Sequence, residues 1–298
     1  MKIARCFLFL ASISQAFAAP HLRALIIDGQ NNHNWQATTP VLQKILQDTG
    51  LFQADVVTTP AKGADFSGFH PEFAKYQVVI SNYNDFAGGT AWPPDVQSAF
   101  EHYINAGGGF VSYHAADNAF PNWTAYNEMI GIGGWMNRNE KSGPYWYFRD
   151  GKLVSDATPG SAGNHGNRLP FQVTMRDATH PISKGLPPVW MHAGDELYSR
   201  LRGPGEHMIV LATAYSDPAN KGTGHDEPML MALHYGKGRI FHTTMGHDLP
   251  AMECVGFIVT FARGAEWAAT GKVTQKVPAD FPGPDKVSMR ALVTAAPQ

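Results

Sequence analysis

The chain has 298 residues, 44% of them hydrophobic and only 16% charged, with a formal net charge of −2. That length supports one large domain with its own core. Mild acidity without a Lys/Arg run argues against a nucleic acid or an anionic membrane surface as partner.

Taken in order, the chain opens like a secretory leader. Lys2 and Arg5 supply a basic start, residues 6–13 an apolar stretch, and Ala16-Phe17-Ala18 a small-x-small cleavage site. The apolar run is too short to span a bilayer, so residues 1–18 read as a signal peptide and the protein as exported, periplasmic or secreted. Removing them takes the net charge from −2 to −4. Cys6 leaves with the leader and Cys254 stays alone, so no intramolecular disulfide is expected.

Residues 22–27 form a buried-strand run ending at Asp28-Gly29, followed by the polar, aromatic loop Gln30-Asn31-Asn32-His33-Asn34-Trp35. Thr39-Pro40 reads as a helix start, with Val41, Leu42, Ile45 and Leu46 inward and Gly50 at the end. Strands are predicted at 54–58 and 77–81, the second followed by Asn82-Tyr83-Asn84-Asp85. Trp92-Pro93-Pro94 opens another helix, stopped by Gly107-Gly108-Gly109. The strand that follows ends in a tight turn carrying His114, at the carboxyl edge of the sheet where open α/β folds bind ligands. This alternation favours a parallel sheet with helices on both faces. Residues 131–170 dissolve into Gly, Asn, Pro and aromatics and read as a long ordered insertion, because Trp135 and Tyr145 to Phe148 would be costly to leave in water. Strands are predicted again at 171–175, 209–214, 229–233 and 239–243, then a helix at 253–269. The Pro- and Ala-rich tail, 276–298, is expected to be loosely held.

His33, His114 and His247 each sit just after a predicted strand, so each can reach one sheet edge. Neutral imidazole serves as base or as ligand to a zinc-type metal, and both jobs need convergence in space. The cluster from His192 through Asp195, Glu196 and Tyr198 has no clear place on a strand or helix. His180, before Pro181, suits a turn, and His102 a solvated helix face. His234 and His242 suit satisfied core groups. Asp28 and Asp248 suit orienting a histidine or capping a turn. Trp35, Trp92, Trp123 and Trp135 are candidates to stack on a sugar face, against core packing for at least half of them. Asn122-Trp123-Thr124 matches a glycosylation acceptor. Zinc-protease, phosphate-loop and dinucleotide fingerprints are absent.

Several motifs together resemble the ThuA-like (trehalose utilisation) family, within the class I glutamine amidotransferase-like superfamily. They are Gly29 to Trp35, Asn82 to Asp85, Gly107 to Ala116, His180-Pro181-Ile182, Asp195 to Tyr198, Tyr235 to Phe241, Gly246-His247-Asp248, and Glu266 to Gly271. Asn34 departs from the pattern, standing where the family commonly has Asp. The resemblance spans residues 22–275 and implies a flavodoxin-like three-layer α/β/α sandwich, mostly parallel, as one domain over 19–275. It also implies that His114 occupies the amidotransferase cysteine position. Glutaminase chemistry should then be absent, since imidazole does not readily replace the thiolate. It links the chain to disaccharide use, including 3-keto-glycosides.

The expectation is therefore an exported carbohydrate-processing enzyme acting on a keto-sugar or glycoside by isomerisation, elimination or hydrolysis. His114 and His247 would be acid/base groups assisted by Asp195 or Glu196. His33, Trp35, Tyr83, Asn84, Trp135 and Asp248 would bind the sugar. A divalent metal such as zinc would sit on His33, His114 and His247. The alternative is a noncatalytic sugar-binding protein on a degenerate scaffold. A third reading uses Ser112 as a hydrolase nucleophile, though no Gly-x-Ser-x-Gly surrounds it.

Overall fold

The computed structural model describes residues 21–86 and 88–292. The predicted leader lies outside them, and among the described residues no helix is long and apolar enough to cross a membrane.

Leu22–Asp28 (β1) is buried on both faces after its first two residues, as a central parallel strand must be. It pairs in parallel with Phe52–Thr58 (β2) and Val78–Ser81 (β3). Gly109–Tyr113 (β4) extends this parallel run, and Gly238–Thr243 (β11) joins it on the far side of β4. Successive residues of these strands point into two separate cores. Ala24 and Ile26 pack with Trp35–Asp48 (α1) and Val255–Thr270 (α5), whereas Leu25 and Ile27 pack with Pro94–Asn105 (α2) and Thr124–Ile130 (α3). Helix α1 starts earlier than Thr39-Pro40 suggests. Asn34 caps it, accepting from Ala37 N–H at 3.2 Å, and Pro40 lies inside the helix.

The second half of the chain corrects the mostly parallel, three-layer expectation. Asp226–Tyr235 (β10) turns back on β11 through Gly236-Lys237, and so short a link joins only antiparallel neighbours. Ile209–Tyr215 (β9), Leu169–Met175 (β7) and Val189–Asp195 (β8) continue antiparallel. The resulting order is β2-β1-β3-β4-β11-β10-β9-β7-β8. The insertion contributes a hairpin of Tyr145–Arg149 (β5) and Lys152–Asp156 (β6) that attaches to β10. The sheet is thus mixed, with antiparallel pairings in the majority. Strand β8 holds His192 and Asp195, which had no predicted place.

The tail is not loose as far as Leu292. Gly283 O accepts from Met191 N–H, Ser288 O from Val255 N–H, and Arg290 N–H donates to Glu253 O. Val277, Phe281 and Val287 pack on the core, so apolar residues spaced among the prolines pin a segment that composition alone reads as free.

Candidate functional site

Each strand of the parallel half ends at one edge, and the loops there are tightly braced. Past β1, the Asn31 side chain holds His33: its Oδ1 accepts from His33 N–H at 2.9 Å and from Asn84 Nδ2 at 3.0 Å. Its Nδ2 donates to Asn82 Oδ1 at 3.2 Å. Because that Oδ1 can only accept, His33 Nδ1, at 3.2 Å, carries the ring proton and Nε2 keeps a lone pair.

Past β4, His114 turns sharply at φ +44°, a conformation that non-glycine residues rarely hold. Its Nδ1 lies 2.6 Å from Thr244 O, so Nδ1 is again the donor and Nε2 the lone pair. The ring is 2% exposed. Burial, reinforced by the neighbouring His33 and His247, pushes its pKa down to about 3. His114 is thus neutral and has no proton to give from Nε2.

Past β11, Asp195 grips the next loop, accepting from Gly246 N–H at 2.6 Å and His247 N–H at 3.1 Å. Arg168 Nη1 donates to His247 Nδ1 at 3.3 Å, which leaves the His247 proton on Nε2, the reverse of its two neighbours.

Glu196 sits at the middle of this group, directly after β8. Its Oε2 lies 3.6 Å from His33 Nε2 and 3.9 Å from His114 Nε2. Its Oε1 lies 3.2 Å from His247 Nε2 and 3.8 Å from His165 Nε2. Burial works against ionisation of Glu196, but the surrounding imidazoles, His33 foremost, outweigh it and hold the pKa below the ordinary carboxylate value. The three predicted rings do converge, with centroids 5.0, 4.6 and 5.6 Å apart for His33–His114, His33–His247 and His114–His247.

Beside the cluster lies a cavity of about 210 Å³, walled by His33, His165, Glu196, Asn118, Trp135 and Tyr198, among others. It is smaller than the roughly 300–1,000 Å³ that drug-sized ligands occupy, and suits one sugar ring. Tyr198 stacks on His114 at 4.4 Å and meets Trp135 edge-on at 4.6 Å.

Several predicted contacts fall elsewhere. Asp195 is buried and engaged with His192 at 2.8 Å as well as the two backbone amides, so it positions the site rather than facing it. Tyr83 is fully buried, stacked on Phe120 with its hydroxyl on Thr90 O, and cannot meet a ligand in the cavity. Asn84 braces Asn31, Asn32 and Ala115 O instead. Asp248 caps Leu249–Met252 (α4) and pairs with Arg168. Trp35 opens α1 and Trp135 alone of the predicted aromatics walls the cavity; Trp92 and Trp123 are core. Ser112 is fully buried and its hydroxyl has no hydrogen-bond partner, which removes the nucleophile reading.

Sequence reasoning missed His165. It stands in the irregular insertion, with no strand before it to signal its direction. Its Nδ1 lies 2.9 Å from Gly166 O, so its Nε2 also presents a lone pair.

The family model for ThuA, trehalose utilisation, matches residues 23–268. The chain belongs to the ThuA family. A putative ThuA-like protein from Parabacteroides merdae is 49% identical, with a TM-score of 0.88 over 91% of this chain and 98% of that one. A second ThuA-like protein, from Bacteroides uniformis, shares the fold at 19% identity, with a TM-score of 0.54 over 89% and 97% of the two chains. No curated protein matches this ThuA chain. Membership ties it to carbohydrate use in a general sense.

Proposed function

We propose that this ThuA protein is an enzyme acting on an oxidised sugar or keto-glycoside by proton transfer. The observation that carries this is one carboxylate, Glu196, ringed by four imidazole Nε2 atoms at the mouth of a cavity sized for a sugar ring. A ring carbonyl acidifies the adjacent C–H. His165, with a lone pair on Nε2 at the cavity wall, takes that proton. The C–H electron pair moves into a carbon–carbon double bond, and the carbonyl oxygen takes a proton from His247 Nε2–H. Collapse of the enediol then returns one hydroxyl proton to His247 Nε2 as a carbonyl reforms, and the proton held by His165 goes either to the former carbonyl carbon, completing isomerisation, or to a glycosidic oxygen expelled from the β carbon. Positioned groups of this kind contribute about 10²–10⁴-fold each. His114, neutral and committed at Nδ1, is not one of them.

The test is proton NMR of keto-glycosides incubated with the protein in D₂O. Exchange of the C–H beside the carbonyl, with product formation, is expected, and His247→Asn should slow both about a hundredfold or more. Neither exchange nor turnover, with saturable sugar binding retained, would establish instead the noncatalytic binding reading that the Trp135–Tyr198 wall also suits. Export is part of the proposal. The mature protein recovered from the periplasm or medium should begin at Ala19, and an N-terminus at Met1 would end that part.

A further inference from the structure

We propose that His33 Nε2, His114 Nε2 and Glu196 Oε2 bind a divalent first-row transition-metal ion. These three side chains offer ligand atoms that all lie within 4.8 Å of one another. The argument is one of proton counting. A backbone or amide oxygen claims the Nδ1 proton of both rings, so two lone pairs face a carboxylate at 3.6 and 3.9 Å. Acceptor opposed to acceptor is repulsive unless a cation is shared between them. Two imidazoles and a carboxylate are a ligand set that zinc, iron, cobalt and manganese accept, leaving positions open for a substrate oxygen.

The surroundings have the form of a metal site's outer shell. Ligating histidines donate their other N–H to a protein oxygen, which fixes tautomer and ring plane. Thr244 O does this for His114, and Asn31 Oδ1, itself oriented by Asn82 and Asn84, does it for His33. The Tyr198 hydroxyl lies 3.0 Å from His114 Nε2 and competes for its lone pair. It has another acceptor to turn to, since the neighbouring Asn118 Oδ1 is buried without a partner. Rotation of that hydroxyl frees Nε2 for the ion and satisfies Asn118 in one movement. His247 is excluded from the ligand set by its opposite tautomer: its Nε2 carries the proton and lies 3.2 Å from Glu196 Oε1, on the other oxygen of the carboxylate.

The ion's chemistry, polarising a sugar carbonyl, rests on the proposed function, but its binding does not. The protein, produced without a polyhistidine tag and stripped with chelator, is titrated with Co²⁺ followed by visible absorption and with Zn²⁺ by calorimetry. One equivalent should bind and give cobalt d–d bands. His33→Ala and Glu196→Gln should each weaken binding at least tenfold, while His102→Ala, an exposed helix substitution, leaves it unchanged. Should Glu196→Gln fail to fold, Asn31→Ala, which removes the brace on the His33 ring and leaves all three ligands in place, carries the same expectation. Absence of saturable binding, or equal affinity in wild type and His33→Ala, would show that the cluster shares only a proton and would overturn the inference. A metal-loaded protein inert toward keto-glycosides would sink the proposed function alone, and a protein that binds no metal yet turns them over would sink the metal alone.

Discussion

The two halves of the sheet contribute to one site in different ways. The parallel half delivers His33 and His114 from loops that follow strands directly, each ring locked by an oxygen nearby in the fold. The antiparallel half delivers Glu196, Tyr198 and, through the insertion, His165, whose ring bonds the adjacent Gly166 O. Asp195 joins the halves, since it leaves β8 yet holds the loop after β11. The parallel run therefore supplies the fixed lone pairs of His33 and His114 and the His247 proton, and the antiparallel half supplies the Glu196 charge and the His165 lone pair beside them.

The joint is where the largest effect is expected. Asp195→Asn removes the charge opposite His192, whose pKa is raised to about 9: burial opposes this, but the hydrogen bond that His192 donates to Asp195 outweighs it. Breaking a buried pair of this kind costs about 3–5 kcal/mol, to be read by denaturant unfolding. The loop at Gly246 and His247 should become the least protected part of the sheet edge in hydrogen exchange. Unchanged stability would mean that the halves are held together elsewhere.

A second prediction concerns the antiparallel half by itself. Burial raises the pKa of Glu227 on β10 from 4.5 to about 7, despite hydrogen bonds from Thr223 and Tyr145. The folded state then keeps a proton that the unfolded state releases between these values, so stability falls as pH rises through that window. The full effect is about 3 kcal/mol. Melting temperature should drop from pH 4.5 to 7 in the wild type and stay flatter in Glu227→Gln. An equal slope in both would remove Glu227 as the cause.

The smallest effect belongs to the parallel half. Asn31→Ala leaves the backbone in place but frees His33 to rotate, and should weaken metal binding about 10–100-fold with little change in melting temperature. A large loss of stability instead would mean that Asn31 holds the fold rather than the ring.

Much of the parallel half was legible because its strands are continuous apolar runs and each ends where a polar loop begins. That rule placed His33, His114 and His247 at one edge. It failed at β8, where His192 and Asp195 point inward as a pair and break the apolar pattern that marks a strand. Glu196 was therefore named without a location. It failed again at His165, inside an insertion whose order comes from aromatic packing and scattered hydrogen bonds. Tyr83 and Trp92 were the opposite case, aromatics in or beside a loop that turn back into the core.

The sequence by itself determined family membership, the strand–helix alternation of the first half, and which histidines stand at strand ends, because those features are written in residues close together along the chain. Only the tertiary structure decided the antiparallel half, the place of Glu196, and the tautomer of every ring in the site. A ring's proton goes to whichever nitrogen faces an acceptor, and the partners that matter most here, Thr244 for His114 and Arg168 for His247, lie 130 and 79 residues away.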